Sequence, residues 1–158
     1  MAKLQLEKFL EDKSSNVLVF SDGSAMGTSI GCGGCGIVIV PPNGAELKIV
    51  SKLVSNFTEN VECEVEGLVL ALSEVLKYYQ DSGTKNDCCY IFTDCESAID
   101  VFVNQKDVVK WSSPLRRSWS LLQKLEERDI SVKLAWVPGH AGIKFNELAD
   151  SAAKKDVI

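Results

Sequence analysis

Four carboxylates, at strand ends and on helical stretches, and one loop imidazole together suit the holding of divalent cations and the movement of protons. The single histidine, His140, lies in Trp136-Val137-Pro138-Gly139-His140-Ala141-Gly142, a loop bounded by proline and glycine, and Asp150 follows on a helical stretch. That arrangement predicts a mobile titratable group beside a fixed carboxylate. Asp22 follows the apolar run 17–20 within Ser21-Asp22-Gly23-Ser24, and Asp94 follows the run 89–93, so both read as strand-end carboxylates. Taken singly, each aspartate is more simply a turn former. In an open α/β sheet, however, ligands collect at the carboxyl ends of the strands, and there the two become neighbours.

The fourth carboxylate comes from Glu62, Glu64 or Glu66. At ~100° per residue, the apolar stripe of Val61, Val65, Leu68, Val69, Leu72, Val75, Leu76 and Tyr79 centres near Leu72. Glu62 and Glu64 then fall on opposite rims and Glu66 points outward. Glu64 shares its rim with Ala71 and Val75, with Gly67 further out, and such small neighbours let a strand end approach. Packing therefore favours Glu64 and leaves Glu62 open. Three aspartates and a glutamate make an all-oxygen donor set, which favours magnesium or manganese over zinc. Two such ions roughly 4 Å apart activate water and stabilise the leaving oxygen of an in-line phosphodiester displacement.

Periodicity supplies the elements that position these groups. Short apolar strands are predicted at 17–20, 37–40 and about 46–54, the last two joined through Pro41-Pro42-Asn43-Gly44 and the first two by a glycine-rich connection (Gly27, Gly31, Gly33, Gly34, Gly36). A helix follows over about 60–79, then a buried strand at 89–93 and a helix carrying Ala98, Ile99, Phe102 and Val103. A further helix runs over about 114–128 with Pro114 in its first turn, then a strand at 130–137 and a short helix at 146–154. The order βββαβααβα predicts a mixed α/β sheet, an antiparallel meander followed by parallel strands, with helices on both faces.

Composition bounds the rest. The chain of 158 residues suits one domain, read as 16–158 behind a polar leader or linker at 1–15. No apolar run approaches a membrane span, and the charged start lacks a signal-peptide core, so an intracellular protein, cytoplasmic or nuclear and not secreted, is expected. The net charge of −5 argues against a nonspecific nucleic-acid clamp but not against a nuclease, because bound cations offset a carboxylate cluster. Of the six cysteines, Cys32 and Cys35 form a lone CxxC, while Cys88 and Cys89 are read as small residues opening a buried strand.

Asp22-Gly23-Ser24 after a strand, Glu64-Val65-Glu66-Gly67 with Ala71-Leu72, Thr93-Asp94, and the His140 loop with Asn146, Glu147 and Asp150 together resemble type 1 ribonuclease H. The resemblance covers about residues 16–155, in order and with compatible spacing. It implies the ribonuclease H-like fold, a five-stranded mixed sheet, and endonucleolytic hydrolysis of the RNA strand of RNA/DNA hybrids. By position it makes Asp22, Glu64, Asp94 and Asp150 the ligands of two Mg²⁺ ions, with Mn²⁺ as substitute. His140 becomes the loop residue that assists proton transfer or product release, and Gly23, Ser24, Asn60, Cys95 and Asn146 become substrate contacts. The offsets of Gly67, Ala71 and Leu72 from Glu64 favour it over Glu62.

The wording WVPGHAGIKxNExAD is similar to retroelement ribonuclease H domains, which implies tethering to a reverse-transcriptase polymerase domain; the isolated domain is expected to be monomeric. Cys95 stands where serine is usual, Glu59 and Glu62 bring negative charge to the start of the long helix, and the basic insertion that some relatives use to grip substrate is missing. Those departures imply a weaker grip on hybrid, and tethering would account for them. Trp111 and Trp119 are read mainly as core aromatics. Two alternatives remain at the level of sequence: a noncatalytic hybrid-binding or tether domain of this fold, which would be free to lose carboxylates, and a metal-dependent transposase or resolvase, which fits the His140 loop less well.

Overall fold

The computed structural model describes residues 16–25, 32–55 and 59–155, together with Lys8; the rest of the 1–15 leader lies outside them, as do Gly27 and Gly31. In chain order the elements are β1 (Val17–Ala25), β2 (Cys32–Val40), β3 (Lys48–Ser55), α1 (Val61–Ser82), β4 (Asp87–Thr93), α2 (Glu96–Val103), α3 (Ser112–Glu126), β5 (Ile130–Trp136) and α4 (Lys144–Lys154). The five strands form one sheet in the order β3-β2-β1-β4-β5. The first three pair antiparallel, and β4 and β5 join β1 in parallel. The mixed sheet expected from the sequence is therefore present. No helix among the described residues is long and apolar enough to cross a membrane.

Alternation along each strand feeds two core layers. Val17, Val19, Ile37, Ile39, Cys89 and Ile91 face Val65, Leu68, Leu72 and Val75 of α1, with Leu115 and Leu125 of α3 closing that side. Leu18, Phe20, Val38 and Phe92 face the other way, onto Phe145, Leu148 and Ala149 of α4. Phe20 stacks on Phe92 with ring centroids 4.9 Å apart. Each such fully buried side chain contributes roughly 1.5–3 kcal/mol relative to exposure. Trp111 joins the first layer, whereas Trp119 is 46% exposed and does not. Burial pushes the thiols of Cys35 and Cys89 up to about 12 and that of Cys63 up to about 11, so these three behave as small apolar residues.

Two boundaries differ from the sequence pattern in ways that matter to the site. The glycine-rich segment is strand rather than connection from Cys32 onward, with Gly36 opposite Asp22 and Gly34 opposite Ser24. Ladder hydrogen bonds need no side chain, and here a side chain is excluded: a Cβ on Gly36 would lie 2.5 Å from the backbone nitrogen of Ala153. That gap lets α4 settle on β2, and on neighbouring β3 Ser51 Oγ donates to Ala152 O at 2.8 Å. Asp22 is consequently inside β1 with respect to β2, yet one residue beyond the last β1–β4 pair, Ser21 with Thr93. The long helix α1 stops at Gly83, whose φ of 71° provides a left-handed C-terminal cap.

Candidate active site

Asp22 has the parity of Leu18 and Phe20, which sends its side chain toward the α4 side of the sheet. Its Oδ1 accepts a hydrogen bond from Gly23 N at 2.9 Å, and the residue is 5% exposed. The next position brings in α1. A Cβ on Gly23 would stand 2.5 Å from both Cys63 C and Glu64 N, so only glycine lets β1 pass the first turn of α1 this closely. One turn further, a Cβ on Gly67 would meet Ser21 Oγ at 2.7 Å, so the small residue predicted to admit a strand does so. Glu64 thereby reaches Asp22, and Asp94, just past the end of β4, completes a group whose carboxylate oxygens lie within 4.8 Å of one another.

Asp150 and His140 adjoin this trio rather than belong to it. Asp150 interacts with Asp22 and also feels the charge of His140, while Lys154 Nζ, one turn along α4, lies 3.0 Å from its Oδ2. His140 is exposed and adopts φ 51°, with Gly142 at 76°, so the Pro/Gly-bounded loop turns sharply and presents its imidazole to solvent.

The charges explain one another. Burial, the Asp94 charge and a hydrogen bond with Asp150 push Asp22 up to about 7. Burial, then the charge and hydrogen bond of Asp22, then Asp94, push Glu64 up to about 9. Burial would raise Asp150 too, but Lys154, Asp22 and His140 outweigh it and hold Asp150 below the ordinary carboxylate range. Three carboxylates this close cannot all ionise without a counter-charge, so protons stay on Glu64 and partly on Asp22 at neutral pH. A divalent cation fits such a place. The donors are all hard oxygens, Glu64 Oε2 is buried without a hydrogen-bond partner, and the retained protons are what a cation displaces.

The three glutamates weighed as the fourth carboxylate separate cleanly. Only Glu64 joins the trio; Glu62 lines a groove between α1 and α3. Glu66 does not simply point outward as the helical projection suggested. Arg117 of α3 holds it through both guanidinium nitrogens, and Lys52 of β3 lies 3.7 Å away. Among the positions read as substrate contacts, Gly23 is occupied by its approach to α1, Ser24 is half-buried on β1, and Asn60 is exposed at the start of α1. Cys95 caps α2, half-buried. Asn146 is 3% exposed with its Oδ1 unpartnered, on the same helix as Asp150. Two neighbours escaped sequence reading. Trp136 Nε1 donates to Asp94 O at 3.1 Å, and Gly139 lies against the Asp94 side chain. The Pro-Gly pair announces a turn but says nothing of what the turn touches.

Comparison with known proteins agrees with this geometry. The model of the RNase H family matches residues 14–158. Ribonuclease H of Wolbachia pipientis wMel is 26% identical over 147 residues, covering 90% of this chain and 95% of that protein. The Pol polyprotein of equine infectious anemia virus, strain Wyoming, is 56% identical over 36 residues, which is 23% of this chain and 3% of the polyprotein. This chain thus spans only a small part of that viral relative. RNase H1 from the halophilic archaeon Halobacterium salinarum NRC-1 superposes with a TM-score of 0.64 at 21% identity, covering 89% of this chain and 96% of that one. LC11-RNase H1, solved in complex with RNA/DNA hybrid, superposes with a TM-score of 0.63 at 19% identity, covering 89% and 98%. At these identities the solved structures speak for the fold, and the family match, which spans nearly the whole chain, shows that this protein belongs to the RNase H family.

Proposed function

We propose that this protein hydrolyses the RNA strand of RNA/DNA hybrids endonucleolytically, with two Mg²⁺ ions, or Mn²⁺ in their place, held by Asp22, Glu64, Asp94 and Asp150. The observation that carries the reading is the mutual approach of Asp22, Glu64 and Asp94 to within 4.8 Å, with Glu64 Oε2 left unpartnered in the fold itself. Bound there, the ions supply an activated water and charge stabilisation at the leaving oxygen. Asp22 is the carboxylate common to both halves of the cluster, since it interacts with Glu64 on one side and with Asp150 on the other. His140, exposed beside Asp150, carries a proton to the leaving oxygen or eases product away. We assign contact with the RNA strand to Gly23, Ser24, Asn60, Cys95 and Asn146.

The local match to a retroviral Pol polyprotein and the hybrid bound to LC11-RNase H1 support this substrate and a polymerase-tethered context. In this reading residues 16–158 are the ribonuclease H domain of a reverse transcriptase or retroelement polyprotein, 1–15 are its linker, and the isolated domain is an intracellular monomer. The test is cleavage of end-labelled RNA/DNA hybrid, duplex DNA and duplex RNA in parallel. Only the RNA strand of the hybrid should be cut; equal cutting of duplex DNA would favour a transposase-like nuclease, and no cutting under any condition a noncatalytic domain.

A further inference from the structure

The geometry points to Gly139 and Trp136 as positioning residues that fix the Asp94 carboxylate, so that the His140 loop sets the cation affinity of the cluster. The inference rests on the cation reading of that cluster given above. Of the trio, Asp94 alone lies outside the helices and strands: β4 ends at Thr93 and α2 begins at Glu96. Asp22 is held by pairing opposite Gly36, and Glu64 by the first turn of α1. Asp94 is instead held from the loop side. Trp136 Nε1 donates to its carbonyl at 3.1 Å, and Val137 N donates to Thr93 O at 2.9 Å.

Gly139 supplies the contact to the side chain. A Cβ there would stand 2.7 Å from Asp94 Oδ2, 3.2 Å from Cγ and 3.4 Å from Cβ, so the loop backbone lies along the whole carboxylate arm. Gly139 has no left-handed φ, which makes contact with Asp94 the main obstacle to an alanine at this position. Either the loop or the carboxylate must yield. The nearest atom is the free end of a side chain, which gives more readily than loop backbone, so the Asp94 carboxylate is displaced from its position beside Asp22 and Glu64. Groups that orient a ligand from outside the coordination shell typically govern metal affinity by about 10–100-fold.

Mn²⁺ binding to the full chain, measured by calorimetry and by the electron paramagnetic resonance spectrum of the bound ion, tests this with circular dichroism as the check on folding. Gly139→Ala should bind Mn²⁺ at least ~10-fold more weakly than the unmodified chain. Trp136→Phe, which keeps the ring and loses the N–H, should bind roughly 3-fold more weakly. Gly83→Ala is the control: its φ of 71° makes alanine strained, yet nothing lies within 4 Å, so it should lower stability and leave Mn²⁺ affinity alone. A folded Gly139→Ala that binds Mn²⁺ like the unmodified chain overturns the proposal. If Gly139→Ala does not fold, Trp136→Phe decides, and unchanged Mn²⁺ affinity there overturns it. An unmodified chain that takes up no Mn²⁺ overturns the cation reading itself, and the proposal with it.

Discussion

A Cβ on Gly23 would lie 2.5 Å from the backbone nitrogen of Glu64. This single approach brings a strand and a helix together so that Asp22 and Glu64 share one small volume. Gly23→Ala must push the two backbones apart, and overpacking of this kind costs typically ~1–3 kcal/mol. The melting temperature should fall by several degrees and hybrid cleavage by more than ~10-fold, because even a 1 Å displacement costs about 10²-fold where geometry is exacting. Unchanged melting and cleavage would mean that the strand and helix separate without consequence.

The same crowding makes the cation-free fold sensitive to pH. Asp22 rises from 3.8 to about 7 and Glu64 from 4.5 to about 9, so the folded chain binds protons that the unfolded chain releases. Stability from that source is complete below about pH 4 and is lost as pH climbs through 7 toward 9. Asp150, held below its ordinary 3.8, acts in the opposite sense and only in more acidic solution. In excess chelator the melting temperature should therefore fall between pH 5 and pH 9, and Glu64→Gln should flatten the slope. A chelated protein that grows more stable over that interval would contradict the assigned proton locations.

Helix register gives a third prediction. Glu64→Gln should abolish most cleavage, whereas Glu62→Gln and Glu66→Gln should stay within a few fold of the unmodified rate. Glu66→Gln loosens the contacts to Arg117 and Lys52 and should appear in melting rather than in kcat. A severe kinetic loss in Glu62→Gln with a mild one in Glu64→Gln would reverse the roles given to the two rims of α1.

For His140, replacement by alanine should lower kcat by roughly 10²-fold at neutral pH if it acts as general acid or base. Mn²⁺ affinity should change little, since the imidazole lies outside the trio. An unchanged rate would leave proton traffic to water and the carboxylates.

Much of this arrangement could be read from residue order because it follows local rules. The period-2 and period-3.6 patterns place β4, α1 and α4, and small residues at 67 and 71 mark the rim on which Glu64 stands. The glycine-rich stretch misled for a physical reason. Glycine usually ends a strand, but Gly36 serves to admit α4 to the sheet, a requirement visible only once the layers are stacked. Glu66 misled likewise, since Arg117 is 51 residues away in sequence and Lys52 lies on strand β3. The contact of Gly139 with Asp94 joins a loop to a strand end across the β4–β5 crossover, and no local pattern encodes it.

Hybrid cleavage by the unmodified chain and by Asp94→Asn, at one Mg²⁺ concentration with melting curves taken on the same samples, tests the central claim most directly. The amide keeps the shape of Asp94 and loses the charge that holds a cation. Cleavage should fall by about 10²-fold or more while the melting temperature holds or rises, and excess chelator should abolish the activity of the unmodified chain. Cleavage within a few fold of the unmodified rate, or cleavage that survives excess chelator, would contradict the account.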